Sequence, residues 1–188
     1  MEVREYIKKS IDVKNLILND DKLIDEIQKA ANAIIYVYKN NNKVIAMGNG
    51  GSAMDSNHIA AEFVSRFCFD RPALGAVSLS SNQAIITAIG NDYSFENIFS
   101  RQIEAIGKEG DILIGISTSG KSKNVLEGFK KAKEKNIATI FLTGKSADYT
   151  ADYTIKVPSE ITSIIQEAHI MIAHIICGIV ERELFEKV

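Results

Sequence analysis

The 188-residue chain is expected to fold as an α/β domain, a doubly wound five-stranded parallel sheet flanked by helices, with a helical hairpin ahead of it. Three observations predict this. Short apolar runs of strand character recur five times, and helical patterns fall between most of them. Two of the runs also stop abruptly in turns rich in glycine and hydroxyls, Gly48-Asn49-Gly50-Gly51-Ser52 and Ser117-Thr118-Ser119-Gly120-Lys121-Ser122. Alternating strands and helices imply parallel strands covered on both faces, with ligands gathered at the C-terminal strand ends.

In chain order, two amphipathic helices are predicted first, about Val3 to Leu18 and Lys22 to Lys39, broken at Asn19-Asp20-Asp21. Strands follow at Val44 to Met47, Gly75 to Leu79, Ile112 to Ile116, Ala138 to Leu142 and Tyr153 to Val157. The run Ile112 to Ile116 is apolar and largely β-branched, as a strand buried on both faces requires. Helical patterns lie at Ala53 to Phe67, Asn82 to Ala88, Glu96 to Ile106 and Val125 to Lys135, and a long one closes the chain from Ser163 to Glu186. Only two prolines, Pro72 and Pro158, punctuate the chain, and neither lies in a linker-like stretch. The simplest parse is one domain over 1–188, in which 1–40 supplies hairpin helices and 41–188 the α/β core. The hairpin has no obvious partner within such a core and is expected to pack against other subunits.

Composition removes several classes of function. Twenty-two basic against twenty-four acidic residues leave a net charge of -2, with no basic tract to follow a nucleic-acid backbone. No apolar run is expected to span a membrane, and Met1-Glu2-Val3-Arg4-Glu5 lacks a signal-peptide pattern, so a cytoplasmic location is expected. Cys68 and Cys177 have no metal-knuckle spacing and are expected to be buried thiols.

The two turns carry the first chemical signal. In the second, Ser117, Thr118, Ser119 and Ser122 offer short donors, Gly120 admits an anion close to the backbone, and a helix begins directly afterwards. A helix N-terminus adds partial positive charge, so the segment reads as a phosphate cradle. A single serine there would be an ordinary N-cap; four hydroxyls within six residues favour an anion site. Glycine spacing does not match a nucleotide-hydrolysing P-loop. The first turn, Asn49, Gly50, Gly51 and Ser52, approaches a dinucleotide fingerprint but lacks its third glycine. Asp70, near the spacing of a ribose-binding acid, follows a helix rather than a strand. Sugar phosphate is favoured over nicotinamide.

All three histidines fall in two predicted helices. His58 and Glu62 are four residues apart and share a face; Gln166 and His174 are two turns apart and share another. Two histidines, a glutamate and a glutamine converging from two helices would suit a first-row metal, zinc being favoured by imidazole. By spacing alone, a His/Glu pair is more often a helix-surface contact. His169 is open among core packing, orientation of a ligand and substrate contact.

Taken together, the turns at 48–52 and 117–122 resemble those of the sugar isomerase (SIS) family. The segments His58-Ile59-Ala60-Ala61-Glu62, Arg66-Phe67 with Arg71-Pro72, Gly90-Asn91-Asp92, Leu142-Thr143-Gly144 and Gln166-Glu167-Ala168-His169 fall in the order and spacing of its phosphoheptose isomerases. That resemblance implies interconversion of sedoheptulose 7-phosphate and D-glycero-D-manno-heptose 7-phosphate, an early step toward heptose-containing surface glycans. It also implies a homotetramer with active sites at subunit interfaces. Zinc held by His58, Glu62, Gln166 and His174 is implied in the same way, with Glu62 and His174 as the acid–base pair. Phosphate falls to Ser52, Ser117, Thr118, Ser119 and Ser122, and sugar hydroxyls to Asn49 and Asp92; for Asp92 a helix cap or Asx-turn is the competing reading. Arg66 enters only by its place in the pattern, and a surface ion pair is its alternative.

Two departures stand out. Ile164 occupies a position where many relatives carry arginine, and the turn from Thr143 to Asp148 is short, which is expected to alter only a surface loop. A non-catalytic SIS protein, serving as a scaffold beside the replication initiator or as a sugar-phosphate sensor, would share the fold and the phosphate turns. Glu62 and His174 discriminate, since the replication-associated relative does not retain both. An isomerase acting on hexose or pentose phosphate matches the His58–Glu62 segment less well.

Overall fold

A computed structural model describes residues 2–186; Met1, Lys187 and Val188, which the predicted domain includes, lie outside the described residues. Five strands form one sheet, β1 (Val44–Gly48), β2 (Ala76–Ser78), β3 (Ile112–Ser117), β4 (Ala138–Gly144) and β5 (Tyr153–Val157). Their order is β2-β1-β3-β4-β5, and every pairing is parallel. The chain leaves β1 toward one edge, and later strands build toward the other, so the topological switch lies between β1 and β3. Gly48 is in register with Ile116, which brings the two glycine- and hydroxyl-rich turns side by side at the switch.

Alternate residues of each strand serve the two faces, as strand periodicity requires. Val44, Ala46, Ile112, Ile114 and Ile116 enter a core closed by α2 (Asp21–Lys39), α3 (Gly51–Val64) and α7 (Thr162–Phe185). Ile45, Met47 and Leu113 enter a second core on the other face, with Phe99 and Ile103 of the α5 segment (Ser100–Ile106) and Val125 and Phe129 of α6 (Lys123–Glu134). α1 (Val3–Leu18) lies against α7 through Glu167, whose carboxylate accepts from Tyr6 Oη at 2.8 Å and from Ser10 Oγ. Asp20 caps α2 by accepting from the N–H groups of Lys22 and Leu23.

Several expectations require correction. The helix predicted over Glu96 to Ile106 is broken into a 3-10 turn at Phe95–Asn97 and α5, because the adjacent residues Ile98 and Phe99 both enter the core. α4 (Gln83–Asp92) runs a turn beyond Ala88 and buries none of its residues, although Ile85 and Ile89 are apolar. Cys177 is buried, but Cys68 is exposed in the loop after α3. Finally, α7 is long and apolar enough to cross a membrane by length and mean hydropathy, 1.6 over its best window. Half of that window is buried against the sheet and its covering helices, which accounts for its composition.

Candidate active site

The cradle at the switch point is built from two helices whose N-termini carry no side-chain cap. Ser122 stands at the N-cap position of α6, but its hydroxyl turns to Ser117 Oγ at 2.9 Å instead of closing the helix end. Ser122 therefore does not cap α6: Val125 N donates to Asn124 Oδ1, and the Lys123 and Asn124 backbone amides have no partner among the described residues, an end that suits an anion. Gly120 adopts φ +68°, and a Cβ there would lie 2.3 Å from that of Ala147. The turn after β4 therefore buttresses the cradle and is more than a surface loop. Thr143 adds to this by donating its hydroxyl to the Ser117 carbonyl at 2.7 Å. Ser52 and Ser117 are buried, Thr118 is half-buried and Ser119 is exposed. Thr118 and Ser119 also line a 190 Å³ cleft with Lys121, Ser146, Ser159 and Thr162.

Asn49 is joined to the second turn by a reciprocal amide pair with Asn124, at 2.8 and 2.9 Å, so it ties β1 and β3 turns together. Ser80, after β2, holds Gly48 from the other side, donating to its carbonyl at 2.8 Å. Neither Asn124 nor Ser80 stands out in sequence, because each takes its role from a partner on another strand end.

Three of the four residues predicted to hold a metal come together. His58 Nε2 lies 2.8 Å from Glu62 Oε1, and His174 Nε2 lies 3.4 Å from His58 Nε2. One ligand atom from each of the three lies within 4.8 Å of the others. Such a trio can hold a divalent metal ion. Gln166 is half-buried, with its amide over the first turn of α3, where a Gly51 Cβ would come within 2.5 Å of Nε2. One turn before His58, Asp55 buries a carboxylate oxygen that finds no partner, and burial raises its pKa against the pull of His58.

Other candidates stand apart. Asp92 is the exposed last residue of α4 and accepts from the Asn91 side-chain amide at 2.9 Å, a contact that is neither a helix cap nor an Asx-turn. Arg66 is exposed and forms no ion pair among the described residues. Ile164 is buried in the α2–α3–α7 core. His169 is fully buried, with neither ring nitrogen in hydrogen-bond geometry, and burial pushes its pKa down to about 4 despite the nearby Thr143 backbone. It is a core residue. A cleft of about 520 Å³ between α2 and the N-terminal ends of β3, β4 and β5 lies at the opposite end of the sheet from both turns.

The SIS-domain family model matches residues 5–144. Over 190 residues the chain is 55% identical to a phosphoheptose isomerase of Clostridium acetobutylicum, covering 99% of this chain and 97% of that one. This chain belongs to the phosphoheptose isomerases of the SIS-domain family. Phosphoheptose isomerase 2 of Campylobacter jejuni is 53% identical over 188 residues, 98% of this chain and 94% of its own. The solved structure of a phosphoheptose isomerase from Francisella tularensis superposes with a TM-score of 0.91 at 35% identity, covering 96% of each chain. Within this family the five-stranded sheet, the cradle and the His58–Glu62–His174 trio are the features that can carry chemistry. Arg71, in the loop after α3, forms a buried ion pair with Glu181 of α7, a residue that the sequence did not mark. The only signal for them was the Arg71-Pro72 motif.

Proposed function

We propose that the protein is an aldose–ketose isomerase that converts sedoheptulose 7-phosphate to D-glycero-D-manno-heptose 7-phosphate. One observation carries the reading: Glu62 and His174, brought from separate helices, face one another across His58 beside an anion cradle. Family membership supports an enzyme over a scaffold or sensor, and no feature of the site favours the non-catalytic alternative.

The sugar phosphate would enter with its phosphate on the uncapped ends of α3 and α6, held by Ser52, Ser117, Thr118, Ser119 and Ser122. His58 lies six residues past Ser52, about 9 Å along the helix axis, which suits an extended sugar phosphate whose reacting carbons are far from the phosphate. Isomerisation moves one proton from C1 to C2 and a second from the C1 hydroxyl to the C2 oxygen, through an enediol. Glu62 is assigned the carbon proton, which it would take from C1 and return to C2. Its Oε1 faces His58, while Oε2 accepts no hydrogen bond among the described residues. His174 is assigned the proton between the oxygens, and Gln166 and Asn49 the orientation of the sugar.

The residues fit zinc, which would be held by His58, Glu62 and His174 with Gln166; a ligating atom cannot also carry a proton, so whichever of Glu62 and His174 transfers one would do so off the metal. Two imidazole nitrogens 3.4 Å apart, with a carboxylate oxygen 2.8 Å from one of them, make a donor set whose chemistry suits zinc. When bound, zinc would supply electrophilic stabilisation of the developing oxyanion. Exposed apolar residues on α1 and α4 support the homotetramer with interfacial sites that the resemblance implies. The near-neutral charge supports small-molecule rather than nucleic-acid chemistry, and a cytoplasmic location agrees with a sugar-phosphate substrate.

The test is conversion of sedoheptulose 7-phosphate followed by NMR, with and without added zinc, alongside Glu62→Gln and His174→Gln. Each variant is expected to lose about 10²–10⁴-fold in kcat. Phosphosugar binding without conversion under every metal condition would move the protein to the sensor or scaffold class.

A further inference from the structure

The loop from α3 to β2 is gripped by a charge pair that the proposed reaction does not use. The Arg71 and Glu181 side chains are each 1% exposed and meet, Nε to Oε1, at 3.0 Å. Arg71 also donates from Nη2 to the Glu62 carbonyl at 2.8 Å, and from Nη1 to the carbonyls of Phe63 at 2.8 Å and Pro72 at 3.0 Å. The last carbonyls of a helix lack partners within it, so Arg71 closes the C-terminal end of α3 with a positive charge. One of the carbonyls it holds belongs to Glu62.

Glu181 acts on the other side. Its Oε1 accepts from Phe67 N at 2.8 Å and its Oε2 from Cys68 N at 2.6 Å. Phe67 is thereby laid on α7, its ring 5.5 Å from the His174 imidazole and inclined at 38°. Gly178, one turn past His174, leaves room for it, since a Cβ there would already meet Phe67 Cε1 at 3.3 Å. Well-packed apolar residues commonly replace a buried ion pair without loss of stability, so stability alone is a weak reason for one here. What apolar residues cannot reproduce is six directed hydrogen bonds that reach both sides of the trio.

We infer that Arg71 and Glu181 are positioning residues for the acid–base pair: Arg71 sets the end of α3 that presents Glu62, and Glu181 sets Phe67, against which the His174 ring rests. This rests on the assignment of Glu62 and His174 made above.

The test is the double variant Arg71→Met with Glu181→Leu, which removes both buried charges and leaves neither unpaired. It leaves the Phe67 and Cys68 amides and the Glu62, Phe63 and Pro72 carbonyls without these partners, so its thermal midpoint should fall, and kinetics and Co²⁺ binding are read well below that midpoint. Its kcat should fall about tenfold to a hundredfold with KM little changed, and Co²⁺ affinity, read by chelator competition and the visible absorption band, should fall comparably. A folded double variant with the parent's kcat and Co²⁺ affinity would overturn the inference. Should the double variant not fold, Phe67→Leu takes its place, since it keeps the ion pair. There the His174 ring-proton resonances should shift and kcat should drop, and unchanged resonances with unchanged kcat would overturn the inference. A parent that converts no heptose phosphate, while the double variant still loses Co²⁺ affinity, supports the positioning role and removes only the reaction assignment. A parent that binds no Co²⁺ leaves the His174 resonances in Phe67→Leu to decide.

Discussion

Gly51 opens α3 without a side chain, and Gln166 fills the space one would need. An added Cβ would meet the Gln166 amide at 2.5 Å, the far end of a flexible side chain that can move aside. Gly51→Ala is therefore expected to fold normally while displacing Gln166 from the site, lowering metal affinity about tenfold, as measured by chelator competition. Gly120→Ala should behave differently. Its φ of +68° is strained for alanine, and the new Cβ would meet Ala147, whose position is fixed by the backbone. A stability loss of about 1–3 kcal/mol is expected from urea denaturation, together with a raised KM for the phosphosugar. The two glycines differ in legibility. Gly120 sits in a turn whose hydroxyls announce an anion site, whereas Gly51 is required by a glutamine on the last helix of the chain.

At the scale of elements, α1 is docked by Val13 and Ile17, which are buried in the main core, and by a carboxylate of α7. Ser10 and Tyr6 donate to Glu167, and Lys14 lies nearby, and together they hold its pKa below the ordinary value of 4.5. A depressed folded pKa contributes stability that is present above the unfolded value and lost as pH falls through the folded one. The protection factors of amide exchange over Val3–Leu18, taken relative to the intrinsic rate at each pH, should therefore fall below about pH 4.5. In Glu167→Gln they should already be lower at pH 7 and should lose that pH dependence. Element boundaries were mostly legible, since β5 matches its predicted span and α1 does too. The break before α5 was not, because periodicity cannot foresee that Ile98 and Phe99 are both drawn into the core. Nor could apolar content foresee that α4 would lie on the surface.

Two expectations concern the whole molecule. His169, buried and neutral, carries a pKa lowered by burial to about 4 from 6.5. The unfolded chain binds its proton first, so stability should fall as pH drops from about 6.5 toward about 4, by about 1.4 kcal/mol per unit from this residue. Urea denaturation at pH 7 and pH 5 checks it: His169→Leu should flatten that part of the slope. The second expectation concerns assembly. Val3, Ile7, Ile11 and Leu18 are all exposed on α1, and the first three recur at four-residue spacing along one face. Ile7→Lys with Ile11→Lys is expected to lower the oligomer mass in light scattering, and an unchanged mass would place the subunit contacts elsewhere.

The sequence by itself determined the α/β class, the strands to within two residues at each end, and the two glycine- and hydroxyl-rich turns. It also set His58 and Glu62 on one helix face, because strand and helix periodicities and glycine turns are local properties. The meeting of those turns at the switch, the approach of His174 to His58, the burial of His169 and the Arg71–Glu181 grip were decided only by tertiary structure. Each joins residues distant in the chain, and their separation depends on strand order and helix packing, which no local pattern encodes.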